Sequence, residues 1–128
     1  MDYYFNKIVT DNFNDVILKV TELLRKEGFG ILTEINIQET FKKKLNLDFR
    51  KYKILGACNP PFAYTALSAE DKIGTMLPCN IIIQELSTNT IEVAAVNPIA
   101  SMQAIENDIL NEIASDISQK LKNVINNL

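Results

Sequence analysis

The sequence predicts one α+β domain over residues 1–128, with a sheet of about five strands and two long helices packed on one face. Three observations lead there. Strand-like runs of alternating or β-branched residues are interleaved with helix-like runs of 3.6-residue apolar spacing. The two longest helical stripes stand near the two ends of the chain, with a strand-turn-strand unit before the second. Finally, 47% hydrophobic and 23% charged residues are ordinary for a globular chain of 128 residues. A chain of that size buries roughly 65–70% of its unfolded surface.

Taken in order, residues 3–9 are rich in aromatic and β-branched side chains and read as a strand. Thr10 or Asp11 is then expected to cap a helix with Phe13, Val16, Ile17, Val20, Leu23 and Leu24 on its apolar face. Gly28 falls where a glycine ends a helix. Residues 30–37 alternate, placing Ile31, Thr33, Ile35 and Ile37 on one face and Leu32, Glu34 and Asn36 on the other. A short basic helix from Gln38 to Leu45 and a third strand from Tyr52 to Cys58 follow.

Asn59-Pro60 has the form of a helix opening, asparagine at the cap and proline at the first position, where its missing N–H costs nothing. A second short helix is expected from Ser68, with Glu70 and Asp71 in its first turn. Residues 79–86 and 91–96 form a hairpin about Ser87-Thr88-Asn89-Thr90. Asn97-Pro98 repeats the helix opening, and Ile105, Ile109, Ile113, Ile117, Leu121 and Val124 mark the stripe of a C-terminal helix.

Two cysteine motifs stand out in this frame. Leu55-Gly56-Ala57-Cys58-Asn59-Pro60 closes the third strand, and Leu77-Pro78-Cys79-Asn80 opens the fourth. Together with the order of elements, they resemble the signatures of the domain of unknown function 302 over essentially the whole chain. Thr75-Met76 stands where more aliphatic residues precede the leucine in that pattern. The resemblance implies a small α+β fold similar to the TATA-binding-protein-like class, found largely in prokaryotes and dimeric. It implies no established activity.

Composition excludes much chemistry. With no histidine, Ser-His-Asp and Cys-His nucleophiles, His-Glu-x-x-His zinc sites and imidazole acid–base catalysis are all ruled out. The four glycines form neither a Walker loop nor a dinucleotide fingerprint. A net charge of −3 argues against nucleic acid as a partner. No apolar run is long enough for a membrane span, and Met1-Asp2-Tyr3-Tyr4-Phe5 has no basic leader pattern, so a cytoplasmic location with reduced thiols is expected.

Cys58 and Cys79 are expected at the same end of the sheet, near the helix that starts after Asn59. Cys58, Asn59, Cys79 and Asn80 would then make a small polar pocket of thiols and carboxamides. The plain alternative is that both cysteines are small buried apolar residues. Two thiolates leave a zinc site half empty, so no metal and no cofactor is expected.

A second candidate is the basic stretch with Lys42, Lys43, Lys44, Arg50, Lys51 and Lys53 against Asp48 alone, where Lys42, Lys44 and Arg50 could hold an anion. The C-terminal helix carries the opposite bias in Glu106, Asp108, Glu112 and Asp116. Glu34, with Asn36, is a third candidate, mid-strand on a wet face.

These residues point to a homodimeric module that binds a small ligand or a protein partner near the cysteine motifs. No nucleophile–base pair can be assembled from adjacent positions, so no catalytic residue is assigned and enzymatic activity stays open. Thiol chemistry at Cys58 and Cys79, and oligomerisation without a ligand, are the alternatives.

Overall fold

A computed structural model describes residues 2–128. Its strands are β1 (Tyr4–Thr10), β2 (Gly30–Asn36), β3 (Tyr52–Cys58), β4 (Cys79–Ser87) and β5 (Thr90–Val96). The helices are α1 (Phe13–Lys26), α2 (Ile37–Leu45), α3 (Pro60–Ala69), α4 (Pro98–Ser101) and α5 (Asp108–Asn126), with a 3-10 helix over Asp71–Met76. The strands form an open antiparallel sheet in the order β1-β5-β4-β3-β2. The α+β class is therefore as the sequence predicts. Among the described residues, no helix is long and apolar enough to cross a membrane.

Alternation sorts the sheet into two faces. Leu55, Ile81, Ile83, Ile91, Val93 and Ala95 point to one face and are buried. On that face they meet Val16, Val20 and Leu24 of α1 and Leu110, Leu121 and Val124 of α5 in one core cluster. The other face carries Ile54 and Ile82, directly opposite each other in register, with Ile8, Ala94 and the polar Asn6, Gln84 and Glu92. A row of hydrogen bonds crosses it from Asn6 to Glu92 (2.9 Å), Gln84 to Glu92 (2.7 Å) and Arg50 to Gln84 (2.8 Å).

Several local expectations are corrected. The α1 cap is Asn12, whose side chain accepts from Asp15 N–H at 2.8 Å, because β1 runs on to Thr10 and Asp11 forms the turn. The helix expected from Ser68 is the 3-10 segment that starts at Asp71 under a Glu70 cap, while Ser68 lies inside α3. In β2, register slips between Ile31 and Thr33, so Ile31 lies opposite Ala57 on the helix face, whereas Thr33 and Ile35 lie opposite Gly56 and Ile54. A bulge adds one residue to one strand, and a one-residue slip moves every later side chain to the other face. Ile37 has already entered α2.

The C-terminal helix also differs. Asn97 opens only the four-residue α4, and α5 starts anew at Asp108 under Asn107, which accepts from Ile109 and Leu110 N–H. Ile105 lies between the two helices, and Ile109 is 50% exposed. A stripe stepping by four residues rotates about 40° per step and winds off a helix face. The buried stripe mixes steps of three and four instead, through Leu110, Ile113, Ala114, Ile117, Leu121 and Val124.

Candidate functional site

The site is built where β3 ends and β4 begins. These strands are antiparallel neighbours, and Ala57 lies directly opposite Cys79. The end of one strand and the start of the next thus share one end of the sheet, bringing both cysteine motifs together. Neither cysteine forms a disulfide. Both line a single cavity of about 260 Å³.

Small residues make this cavity. Ala57 and Cys79 are its floor, Ala63 and Ala66 of α3 face it from one side, and Ala114 of α5 from another. Short side chains at those positions leave space that leucines would fill. Phe29, Phe62, Met102 and Ile117 complete an apolar wall, and no charged side chain lines it among the described residues. Sequence reasoning missed Phe62, Ala63, Ala66, Met102 and Ala114. The available signal was the alanine pair one helical turn apart right after Asn59-Pro60-Pro61.

Asn59 is the polar group of the wall. It occupies the cap position of α3 and is only 8% exposed, yet its side chain makes no capping bond. Its Nδ2 instead donates to the Glu27 carbonyl at 3.2 Å, tying α3 to the end of α1. Gly28 permits this approach: its φ of +87° suits glycine, and a Cβ there would sit 3.1 Å from the Asn59 Nδ2. Nearby, Lys120 is 3.9 Å from Glu27 and 6.0 Å from the Phe62 ring centre.

Burial in this apolar wall, with the Cys58 thiol beside it, pushes the Cys79 thiol from an ordinary 9.0 up to about 11. Part of Cys79 is open to solvent, but desolvation at the cavity outweighs that exposure. The thiol is therefore neutral at neutral pH, the unreactive form. The shift also links to stability. The folded state holds its proton more tightly, so the contribution is complete below pH 9 and is lost as pH rises toward 11. A Cys79→Ala chain should lose less stability between pH 9 and 11, by on the order of 2 kcal/mol. Urea midpoints against pH read this difference, and parallel curves for the two chains would contradict it. In native Cys58→Ser protein at pH 7.5, Cys79 should react with a disulfide reagent far more slowly than after urea unfolds the chain.

Other sequence candidates are not drawn to the cavity. Strand alternation sends Asn80 to the face opposite Cys79, where it is exposed and lies opposite Gly56. Glu34 pairs with Lys53 at 2.6 Å at the sheet edge. The basic stretch is divided among local partners: Lys42 with Asp48 (3.3 Å), Lys43 with Glu39 (2.7 Å), and Arg50 on Gln84 and over the Phe49 ring. The Lys43 ammonium, through its hydrogen bond, holds the Glu39 carboxyl below its ordinary value. Lys42 and Lys44 line separate shallow hollows, and Arg50 borders neither.

The family model for the domain of unknown function DUF302 matches residues 5–128. The chain belongs to the DUF302 family. Its fold is similar to the crystal structure of an uncharacterized conserved DUF302 protein from Bacillus stearothermophilus, with a TM-score of 0.90, 28% identity and 98% of each chain covered. No match among curated proteins was found. Both cysteine motifs of this DUF302 chain lie inside the matched span, so the cavity they wall belongs to the family domain itself.

Proposed function

We propose that this DUF302 chain is a small-ligand-binding module whose site is the cavity walled by Cys58, Asn59 and Cys79, and that it works as a cytoplasmic homodimer. The observation that supports binding is the cavity: about 260 Å³ of apolar space joining both cysteine motifs, with one buried carboxamide in its wall. Ligand sites are typically concave and apolar with a few placed polar groups. The raised Cys79 pKa favours this reading over thiol chemistry at that residue. Asn80 and Glu34, turned elsewhere, are left out of the proposed site.

Toluene, followed by chemical-shift changes of the ¹⁵N-labelled chain, tests the cavity. It should bind saturably to the native chain, and Ala66→Phe, which fills the space from α3, should abolish binding while circular dichroism stays native. Equal binding by both chains, or none by either, overturns the proposal.

For the dimer, the support is the sheet face that carries Ile8, Ile54, Ile82 and Ala94. Ile8 is 54% exposed and Ile35 45%, an apolar surface that a second copy would cover. Ile81 and Ile83 are spent in the internal core, so Ile82 is the member of that run available for contact. Sedimentation at tens of micromolar should show a dimer and Ile82→Lys should give monomer. A monomeric wild-type chain removes the homodimer.

A further inference from the structure

The cavity is long and narrow. Its wall starts at Leu32 in β2, passes Cys58 in β3 and Cys79 in β4, and ends at Pro98 and Met102 just beyond β5. These strands are consecutive neighbours in the sheet, so the wall crosses three strand spacings, about 14 Å. Spread over that length, a volume of about 260 Å³ has a section of about 19 Å². Benzene in a cavity of about 150 Å³ takes roughly 25 Å³ per carbon. At that figure an extended chain advancing about 1.3 Å per carbon fills about 20 Å². The space therefore has the section of one alkyl chain and the volume for about ten carbons.

The two ends differ. Leu32 is 66% exposed and Leu67 of α3 is 44% exposed, yet both line the cavity, so it opens between β2 and α3 through an apolar mouth. Met102, at the far end, is only 6% exposed. The mouth depends on the slip in β2. Ile31 pairs with Ala57 and Thr33 with Gly56, which leaves Leu32 as the unpaired residue of the bulge. A bulge re-aims a side chain. Strict alternation from Ile31 would have sent Leu32 to the outer face of the sheet instead of to the cavity.

The interior offers little to a polar ligand group. No charged side chain lines it among the described residues, the Asn59 carboxamide already donates to the Glu27 carbonyl, and the two thiols are weak hydrogen-bonding partners. A polar or ionised group taken inside would lose its water without replacement. We propose that the cavity takes the unbranched alkyl end of an amphiphile, about ten carbons long. The chain enters between Leu32 and Leu67, its methyl end points toward Met102, and its polar head stays in solvent. This rests on the cavity-binding reading above and names its ligand class.

Hexanoate, octanoate, decanoate and dodecanoate, each kept below its micelle concentration and titrated against the isotope-labelled chain at pH 7.5, test it without any variant. Affinity should rise about fifteenfold for each two carbons up to decanoate, the gain of burying two methylenes, and then level off. Adamantane-1-carboxylate, of similar carbon count but compact, should bind more weakly than octanoate. Octylammonium should match octanoate within about threefold, because a head in solvent is not read by an apolar interior. Nuclear Overhauser contacts should join the terminal methyl of decanoate to Met102, and the methylene beside its carboxylate to Leu32. Affinity flat along the series overturns the chain, as does adamantane-1-carboxylate binding as tightly as decanoate. Octylammonium and octanoate differing by more than about tenfold, or the methyl end found at Leu32, overturns the placement of head and tail. In each of these cases toluene binding leaves the cavity reading intact. Failure of toluene and of every chain to bind overturns both.

Discussion

Gly56→Val is expected to be the most destabilising single change in the cysteine-motif region, costing about 3 kcal/mol or more, with Gly56→Ala near 2. Gly56 sits inside β3 between β2 and the chain entering β4. A Cβ built on it would lie 2.2 Å from the Thr33 Oγ1 and 2.7 Å from the Pro78 Cγ. The Thr33 hydroxyl can rotate away, but the Pro78 ring is closed and fixed to the backbone just before Cys79. Relief must therefore come from moving the β3–β4 junction, which is the cavity floor. Urea unfolding gives the cost directly. A Thr33→Ala/Gly56→Ala chain should recover part of the loss, because one of the two clashes is gone. A Gly56→Ala midpoint equal to wild type would show that the junction yields freely.

The second large effect separates two look-alike motifs. Asn59-Pro60 and Asn97-Pro98 each precede a helix, and sequence alone gives both asparagines the same cap, worth about 1 kcal/mol. In the fold they do different work. The Asn97 Oδ1 accepts from Ile99 N–H at 3.1 Å and from the Ser118 hydroxyl at 3.0 Å, and its Nδ2 donates to the Asp2 carbonyl at 3.1 Å. Both Asn97 and Ser118 are buried, at 7% and 4% exposure. Asn97→Ala takes away the buried acceptor of the Ser118 hydroxyl and the tie between Asp2 and α5, so a loss of about 2–3 kcal/mol is expected. Asn59→Ala removes one bond of 3.2 Å to Glu27 and should cost about 1 kcal/mol or less. Adding Ser118→Ala to Asn97→Ala should cost little more, since the stranded hydroxyl is then gone. Equal midpoints for Asn59→Ala and Asn97→Ala would contradict this ordering.

What the sequence determined by itself was set by signals that act within a few residues. Tyr52–Cys58 is a strand, Gly28 ends α1 with positive φ, and Thr88-Asn89 turns a hairpin with Asn89 at φ 60°, all as local pattern predicts. The α1 face is legible because Phe13, Val16, Val20 and Leu24 mix steps of three and four. That Cys58 and Cys79 meet follows from the same locality, since one motif closes a strand and the other opens its antiparallel neighbour. Tertiary structure decided everything that depends on what lies across from a residue. The slip between Ile31 and Thr33 is invisible to a period of two, yet it reassigns which side chains face the helices. Asn80 looks equivalent to Cys79 in sequence and lies on the other face because adjacent strand residues must. Asn59 has a choice between its own helix and the carbonyl of Glu27, and only the pairing of Gly30 with Cys58, which brings the end of α1 beside the end of β3, makes the second partner available. The cavity is likewise a tertiary fact: each alanine in its wall is unremarkable alone, and the space exists only where α3, α5 and the sheet bring their small residues together.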